Sequence, residues 1–325
     1  MRLVLAMMVR DEIDIVGQQI AYHLDAGVDF VIATDHDSRD GTSEVLEAFA
    51  RDGYALRIPR SGKMYESAWR SHMARLAATE CAADWVINTD ADEFWIPRDG
   101  SLKDVLAAVP ERFGVVWGLT RHFVPRPEDD PAFAERMTVR VASAVPINDP
   151  TSPYRPHAKV AHRPDPEIVV RYGAHFVSSS RLAPLSDWYV ADVFHFPYRS
   201  VDQYLRKSLR QAHAEWQLGQ YVKAFHANKE GRVADVFSSM IVDDEALERG
   251  RSTGALVVDT RLRDALRRMG ARQAAQIERV QGDDGNDDHM VGAATLRDAD
   301  VVRLSRRLDD LNARVAAVER GERSS

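Results

Sequence analysis

The chain has 325 residues, 45% of them hydrophobic and 29% charged, which is ordinary globular material with room for one large domain or two of average size. A formal net charge of −7 argues against a general nucleic-acid binder, which would carry a basic excess, and leaves room only for a local basic groove. The single cysteine, Cys81, excludes an intramolecular disulfide framework and a Cys-based zinc site, and fits a reducing compartment.

Met1 to Val9 opens with a charge and an apolar run, too short and without the cleavage site of a signal peptide, so Leu3–Val9 reads as a first strand. No run approaches the length of a membrane span, which sets the expected address as the cytosol, with a membrane's inner face reached through a partner or substrate. Ile13, Val16, Ile20 and Leu24 recur at helical spacing with Gly27 where a C-cap belongs, and Asp11 is either the N-cap of that helix or a ligand residue. Phe30–Thr34 is a second buried strand, and Val45, Leu46 and Phe49 mark the helix behind it. Between them lies Asp35-His36-Asp37-Ser38-Arg39-Asp40-Gly41-Thr42. An EF-hand fails here, because the Asp-Gly pair falls one residue late and Leu46 stands where the closing Glu belongs. Asp40-Gly41 makes a turn, Ser38, Asp40 or Thr42 can cap the helix, and Asp35 is the acid left to meet a ligand.

A third strand over Tyr54–Ile58, a helix over Glu66–Ala83 and a fourth strand over Trp85–Thr89 come next. Repeated strand–helix alternation predicts a parallel sheet with helices on both faces. No Gly-rich phosphate cradle follows the first strand, which removes dinucleotide and Walker-type readings. The fourth strand runs straight into Asp90-Ala91-Asp92-Glu93-Phe94-Trp95, at the strand end where open α/β sheets bind ligands. On an extended chain Asp90 and Asp92 project to one side and can share a divalent ion or its phosphates. A bare D-x-D is more often a solvated turn, but Phe94 and Trp95 are odd company for one.

Three motifs in this order resemble the family 2-type glycosyltransferases of the GT-A fold, in the branch written D-x-D-E-F: Val9-Arg10-Asp11-Glu12, then Thr34 through Thr42, then Asp90 through Phe94. The resemblance covers about the first 125 residues and continues in scattered motifs to about 215. It implies a Rossmann-like mixed α/β sheet and transfer of a sugar from a UDP- or GDP-sugar to a hydroxyl of a glycan, lipid or small molecule, with inversion. Val9, Arg10, Glu12, Asp35 and Asp90 become nucleotide contacts, and Asp90 and Asp92 the motif for Mn²⁺ or Mg²⁺. Many members carry a second acid where His36 stands. Independently, a departing diphosphate needs its growing charge neutralised, and oxygen ligands suit Mg²⁺ or Mn²⁺.

Beyond Trp95, Asp99-Gly100 is a turn, Ser101 caps a helix through Val109, and Phe113–Thr120 is a strand followed at its end by Arg121-His122-Phe123-Val124-Pro125, another potential site segment. Residues 126–215 carry strand-like runs at Met137–Val145, His157–His162 and Glu167–Tyr172, and the resemblance implies that they form the acceptor-side half. Lys159 and Arg163 either face phosphates or line a solvated strand face. The segment from His195 to Lys207 resembles the branch's H-Y-x-x-[KR]-S-x-x-x-[FY]-x-x-K pattern. That makes His195 the expected third metal ligand, with His175 as alternative, while Arg199 and Lys207 neutralise diphosphate. For a catalytic base, Asp187 is favoured over Asp192 and Glu93. Residues 216–281 read as a helical extension and 282–290 as an acidic linker. In 291–325, Val301, Leu304, Leu308, Leu311, Val315 and Val318 form a coiled-coil-like seam that predicts a homo-oligomer.

The rivals are a sugar-phosphate nucleotidyltransferase, which would want a basic Gly-rich loop after the first strand, and a haloacid-type phosphatase, whose D-x-D would follow that strand. A third is a non-catalytic assembly protein built on the same sheet.

Overall fold

The computed structural model describes residues 1–128, 132–142, 157–211 and 225–282. The chain divides into two units, Met1–Glu278 and Arg279–Ser325. The strands all belong to the first unit, and the seam at 291–325 lies outside the described residues.

Strands β1 (Leu3–Val9), β2 (Phe30–His36), β3 (Ala55–Arg60) and β4 (Trp85–Asp90) are parallel, in the order β3-β2-β1-β4. They are joined by helices α1 (Val16–Asp25), α2 (Thr42–Arg51) and α3 (Glu66–Thr79). Every residue of β1 and β2 is buried, which is why Leu3–Val9 and Phe30–Ala33 read as unbroken apolar runs rather than alternating ones, before β2 ends in the buried polar residues Thr34, Asp35 and His36.

The chain then enters β5 (Glu93–Pro97), α4 (Leu102–Ala107), β6 (Val115–His122), α5 (Phe133–Arg136), β7 (Val139–Val141) and β8 (Ala158–His162). After β9 (Val169–Val170) and β10 (Val177–Ser178) comes β11 (Pro184–His195), then α6 (Val201–Gln211), α7 (Val233–Ser238), α8 (Asp244–Ser252), β12 (Leu256–Val258) and α9 (Arg261–Gly282). The main sheet has eight strands in the order β3-β2-β1-β4-β8-β6-β11-β5. Only β8 and β5 run against the rest. The carboxyl ends of β1, β2, β3, β4, β6 and β11 therefore share one edge with the amino ends of β8 and β5.

Some of these elements depart from the sequence reading. Glu93 starts a strand on the far side of the sheet, because Ala91-Asp92 is a turn. The 12-residue β11 and the short β12 were not foreseen, the latter within a stretch expected to be helical. The α4 helix does begin at a Ser101 cap, which forms a capping box with Asp104.

β5 is an edge strand, and its unpaired backbone would invite another chain. Here α1 covers it. His23 Nε2 accepts the Trp95 N–H at 3.1 Å, and the Tyr22 hydroxyl and Gln19 amide reach the carbonyls of Trp95 and Glu93 at 3.4 Å. Beneath the strand ends, Phe94, Phe194 and Phe196 pack with Phe123 and Phe133, Phe123 stacking on Phe196 at 4.4 Å. Gly118 of β6 leaves room for this layer's neighbours: a Cβ there would sit 2.6 Å from Val193 Cγ2 and 3.0 Å from the Trp95 ring.

Candidate active site

The loops after β1 and β2 are stitched together. Asp11 adopts φ 52°, a left-handed conformation that Asp tolerates better than most residues. Its N–H donates to Ser38 Oγ at 3.0 Å and its carboxylate accepts the Arg39 N–H at 2.7 Å. Glu12 N–H donates to Thr42 Oγ1 at 2.9 Å, and Ile13 N–H to Asp40 Oδ2 at 3.2 Å. Asp11 thus ties two loops and does not cap α1, whose N-cap is Ile15. Asp35, expected to be free for a ligand, is buried and saturated. It accepts from Ser43 Oγ at 2.6 Å, from Arg57 at 2.8 Å and from Ser38 N–H at 3.3 Å. Burial would raise its pKa, but these donors hold it below the usual range. Arg10 reaches His36 Nδ1 at 3.4 Å, and His36 Nε2 meets the Gly62 carbonyl at 2.9 Å. Val9 is buried beside them.

Arg199 follows the same logic. It is 1% exposed and forks onto Asp14 at 2.7 and 2.9 Å and onto Glu12, while Nη1 donates to the Phe196 carbonyl at 2.9 Å. All three guanidinium nitrogens are occupied within the chain. Burial raises the Glu12 pKa against the pull of Arg199 and Lys207.

The acidic stretch splits between two clusters. Asp90 ends β4, a third exposed, with Arg70 at 2.5 Å and Lys159 at 2.6 Å. Burial opposes its ionisation, but these two cations push its pKa far below the carboxylate range. The turn carries Asp92 away from it, so the two carboxylates do not share one face of an extended chain. Asp92 is 4% exposed and meets Lys207 Nζ at 2.8 Å and His195 Nε2 at 3.5 Å. Burial acts against its charge too, and Lys207 and His195 outweigh it, so Asp92 stays ionised well below its ordinary pKa.

Strand register completes the site. His195 pairs with Glu93 across β5 and with His122 across β6. Glu93 is buried, lies 2.9 Å from Lys159 and accepts the Asp90 N–H at 3.0 Å, and its pKa is raised by burial against the pull of Lys159. One ligand atom each from Asp92, Glu93 and His195 lie within 4.8 Å of one another. Among the described residues this is the set of acidic, His or Cys side chains close enough to share an ion. Two carboxylate oxygens and an imidazole suit Mn²⁺, with Mg²⁺ less favoured by the nitrogen.

Other expected residues do not join that cluster. His175 hydrogen-bonds the Ala158 carbonyl at 2.7 Å and stacks on His157; burial, with Lys159 adding to it, holds its pKa down to about 4. Asp192 is paired with Arg121 at 2.9 Å and Arg261 at 3.0 Å, and alternation along β11 puts it on the face opposite His195. Asp187 sits eight positions before His195 on β11, about 25 Å back along the strand and toward the opposite edge of the sheet. Arg163 is at that edge as well, bonded to the Phe113 carbonyl at 3.0 Å. Arg70 and Asp14 were missed; both are single charged residues inside helical or loop context, with no motif to flag them.

The family model described as Glycosyltransferase family 92 matches residues 6–182, more than half of the chain. The chain belongs to glycosyltransferase family 92. It is therefore a glycosyltransferase, with a GT-A-type mixed α/β sheet. The family 92 match includes Asp90, Asp92 and Glu93 and stops before His195 and Lys207. The family 2-type likeness and its D-x-D-E-F branch stay a likeness of motifs. No curated protein matches the chain. Solved structures similar to it include S. aureus TarS 1-349, at 12% identity over 73% of this chain and 70% of that one, TM-score 0.32. The same TarS fragment in complex with UDP matches at 11% over 90% and 95%, TM-score 0.32. Glucosyl-3-phosphoglycerate synthase from Mycobacterium tuberculosis, in complex with phosphoglyceric acid, matches at 15% over 50% and 56%, TM-score 0.28. These scores are too low to carry residue positions across. No helix among the described residues is long and apolar enough to cross a membrane.

Proposed function

We propose that this family 92 enzyme is a metal-dependent transferase that moves a sugar from a UDP- or GDP-sugar to a hydroxyl of a glycan, lipid or small molecule. The observation that carries the reading is the Asp92–Glu93–His195 cluster at the ligand-binding edge of the sheet, flanked by Lys159 and Lys207. Asp92, Glu93 and His195 would hold Mn²⁺ or Mg²⁺, which when bound stabilises the charge growing on a departing diphosphate.

The charge balance sets the terms of this use, because an ion would have to compete with cations already in place. Asp90, Asp92 and Glu93 face Arg70, Lys159 and Lys207, so the acids are matched by cations without any ion. With that carboxylate shared with a divalent ion, the Lys207 ammonium, 2.8 Å from Asp92, would be repelled from it and turned toward a phosphate oxygen of the donor. The stitched loops after β1 and β2, with Val9, Arg10, Glu12 and Asp35, form the nucleotide side, Glu12 and Asp35 acting through the loop geometry they fix. Asp90 supplies the polar floor between.

Inversion follows the motif resemblance and needs a carboxylate to take the acceptor proton. Of Asp187, Asp192 and Glu93, Glu93 is the one in the cluster, where it serves as a metal ligand, so none of the three is assigned the base role. Proton NMR of the product's anomeric centre reads the outcome. Calorimetry with UDP and GDP, with and without Mn²⁺, tests the reading as a whole. Binding of one nucleotide that tightens at least tenfold with Mn²⁺ is expected; no binding of either removes the transferase site from this edge.

A further inference from the structure

Two imidazole nitrogens face each other behind the proposed ion site: His195 Nδ1 and His122 Nδ1 are 3.0 Å apart, with the rings tilted by 58°. The contact is built into the sheet, because β6 and β11 run parallel with His122 and His195 in register. His122 is 5% exposed, and the next residue, Phe123, lies in the aromatic layer that fixes both strand ends.

At that separation one nitrogen must carry the hydrogen and the other a lone pair, since two N–H groups or two lone pairs would repel. If His122 donates, His195 accepts at Nδ1 and its Nε2 carries the hydrogen toward Asp92. That N–H would meet Asp92 Oδ2 at 3.5 Å, a poor hydrogen bond. If His195 donates, its Nε2 presents a lone pair to the space it shares with Asp92 and Glu93. Only that form of a neutral imidazole can bind a cation there.

We infer that His122 is a positioning residue: it accepts the Nδ1–H of His195 and so fixes both the tautomer and the ring orientation that point Nε2 at the shared site. The inference rests on the metal reading proposed for Asp92, Glu93 and His195. Outer partners of this kind are worth roughly 10–100-fold in metal affinity. His122 differs from the usual carboxylate or carbonyl partner in that it is neutral, so it orients His195 without adding charge to a site already balanced by Lys159 and Lys207.

The test is Mn²⁺ calorimetry on the full chain, with thermal melting alongside, for the wild type, His122→Asn, His122→Phe and Asp92→Asn. The Asn carboxamide places an acceptor oxygen near the position of Nδ1, while Phe suits the aromatic surroundings and offers no acceptor. We expect His122→Asn to stay within about threefold of the wild type and His122→Phe to weaken binding roughly 10–100-fold with melting unchanged. Wild-type affinity in His122→Phe overturns the inference while leaving the ion site in place. Equal weakening in both variants with lowered melting overturns it too, since His122 would then be a packing residue. If the wild type and Asp92→Asn both fail to bind Mn²⁺, the metal reading itself falls and takes the inference with it.

Discussion

Lys207 Nζ lies 2.8 Å from Asp92 Oδ2, tying α6 to the turn that follows β4. The ammonium occupies ground that a divalent ion would contest. Lys207→Met should therefore tighten Mn²⁺ binding while weakening the nucleoside diphosphate about tenfold, the size expected for a lost charge-assisted hydrogen bond. Paired titrations, metal first and nucleotide second, read both signs. A variant that weakens both ligands alike would mean that Lys207 only props the turn.

Asp90 and Asp92 should behave differently on losing their charge. Asp90→Asn leaves Arg70 with Glu66 as its remaining carboxylate and Lys159 with Glu93, both cations nearly buried. A stability loss of about 2 kcal/mol is expected, the size of lost hydrogen bonds to charged groups, seen as a lower urea midpoint, with Mn²⁺ binding retained. Asp92→Asn should do the reverse and abolish the effect of Mn²⁺ on nucleotide binding. Loss of Mn²⁺ binding in Asp90→Asn with an unchanged midpoint would restore Asp90 as a metal ligand.

Arg199 was expected to meet diphosphate, and the structure gives its fork to Glu12 and Asp14. Arg199→Met should cost about 3–5 kcal/mol because two carboxylates lose their buried partner. Arg199→Lys should recover only part of that, since an ammonium cannot reproduce the fork. Chemical denaturation of the two variants checks both statements.

His23 makes stability depend on pH. It is fully buried, accepts from Trp95 N–H at Nε2 and contacts the Gln19 carbonyl through Nδ1 at 2.8 Å. Burial lowers its pKa to about 4 from 6.5, so between those values the unfolded chain binds the extra proton and the folded one does not. Its contribution is complete above pH 6.5 and falls away as the pH drops toward 4, by about 1.4 kcal/mol per pH unit. His162, buried with the same direction and value, adds to the same limb. Urea midpoints from pH 7 to 4 should show this slope, and it should shrink in His23→Gln.

Residues 291–325 carry the heptad-like seam from which self-association is expected. Light scattering of the full chain against one ending at 290 should show a higher oligomer for the former. Equal states of association would remove the pairing role of that seam.

The parallel half of the sheet was legible because strands buried on both faces must be continuously apolar, as Leu3–Val9 is. The acidic stretch was legible as a site because chemistry gathers at strand ends. What sequence spacing could not give was the turn at Ala91-Asp92, which sends Glu93 across the sheet to stand beside His195. Nor could it find partners far along the chain. Arg70 and Lys159 claim Asp90 from positions whose local pattern says only helix and strand. Asp35 looked free because its donors, Ser43 and Arg57, come from two different elements. His195 stood out through the family-like motif that it begins, whereas His122 fell within Arg121 to Pro125, a potential site segment at a strand end, its pairing with His195 being a matter of register.

The fastened loops after β1 and β2 bear on how a ligand would be received. Asp11, Ser38, Asp40 and Thr42 close them with side-chain to main-chain bonds inside the chain itself. The ordering entropy of that region is thus settled during folding, and on the reading proposed above a nucleotide would not have to organise its own receptor there. Association on that side should be close to rigid docking, with a rate governed by diffusion and charge. Loosening the stitch, as in Thr42→Val, should then appear as a slower, temperature-sensitive approach before it appears as a lost contact.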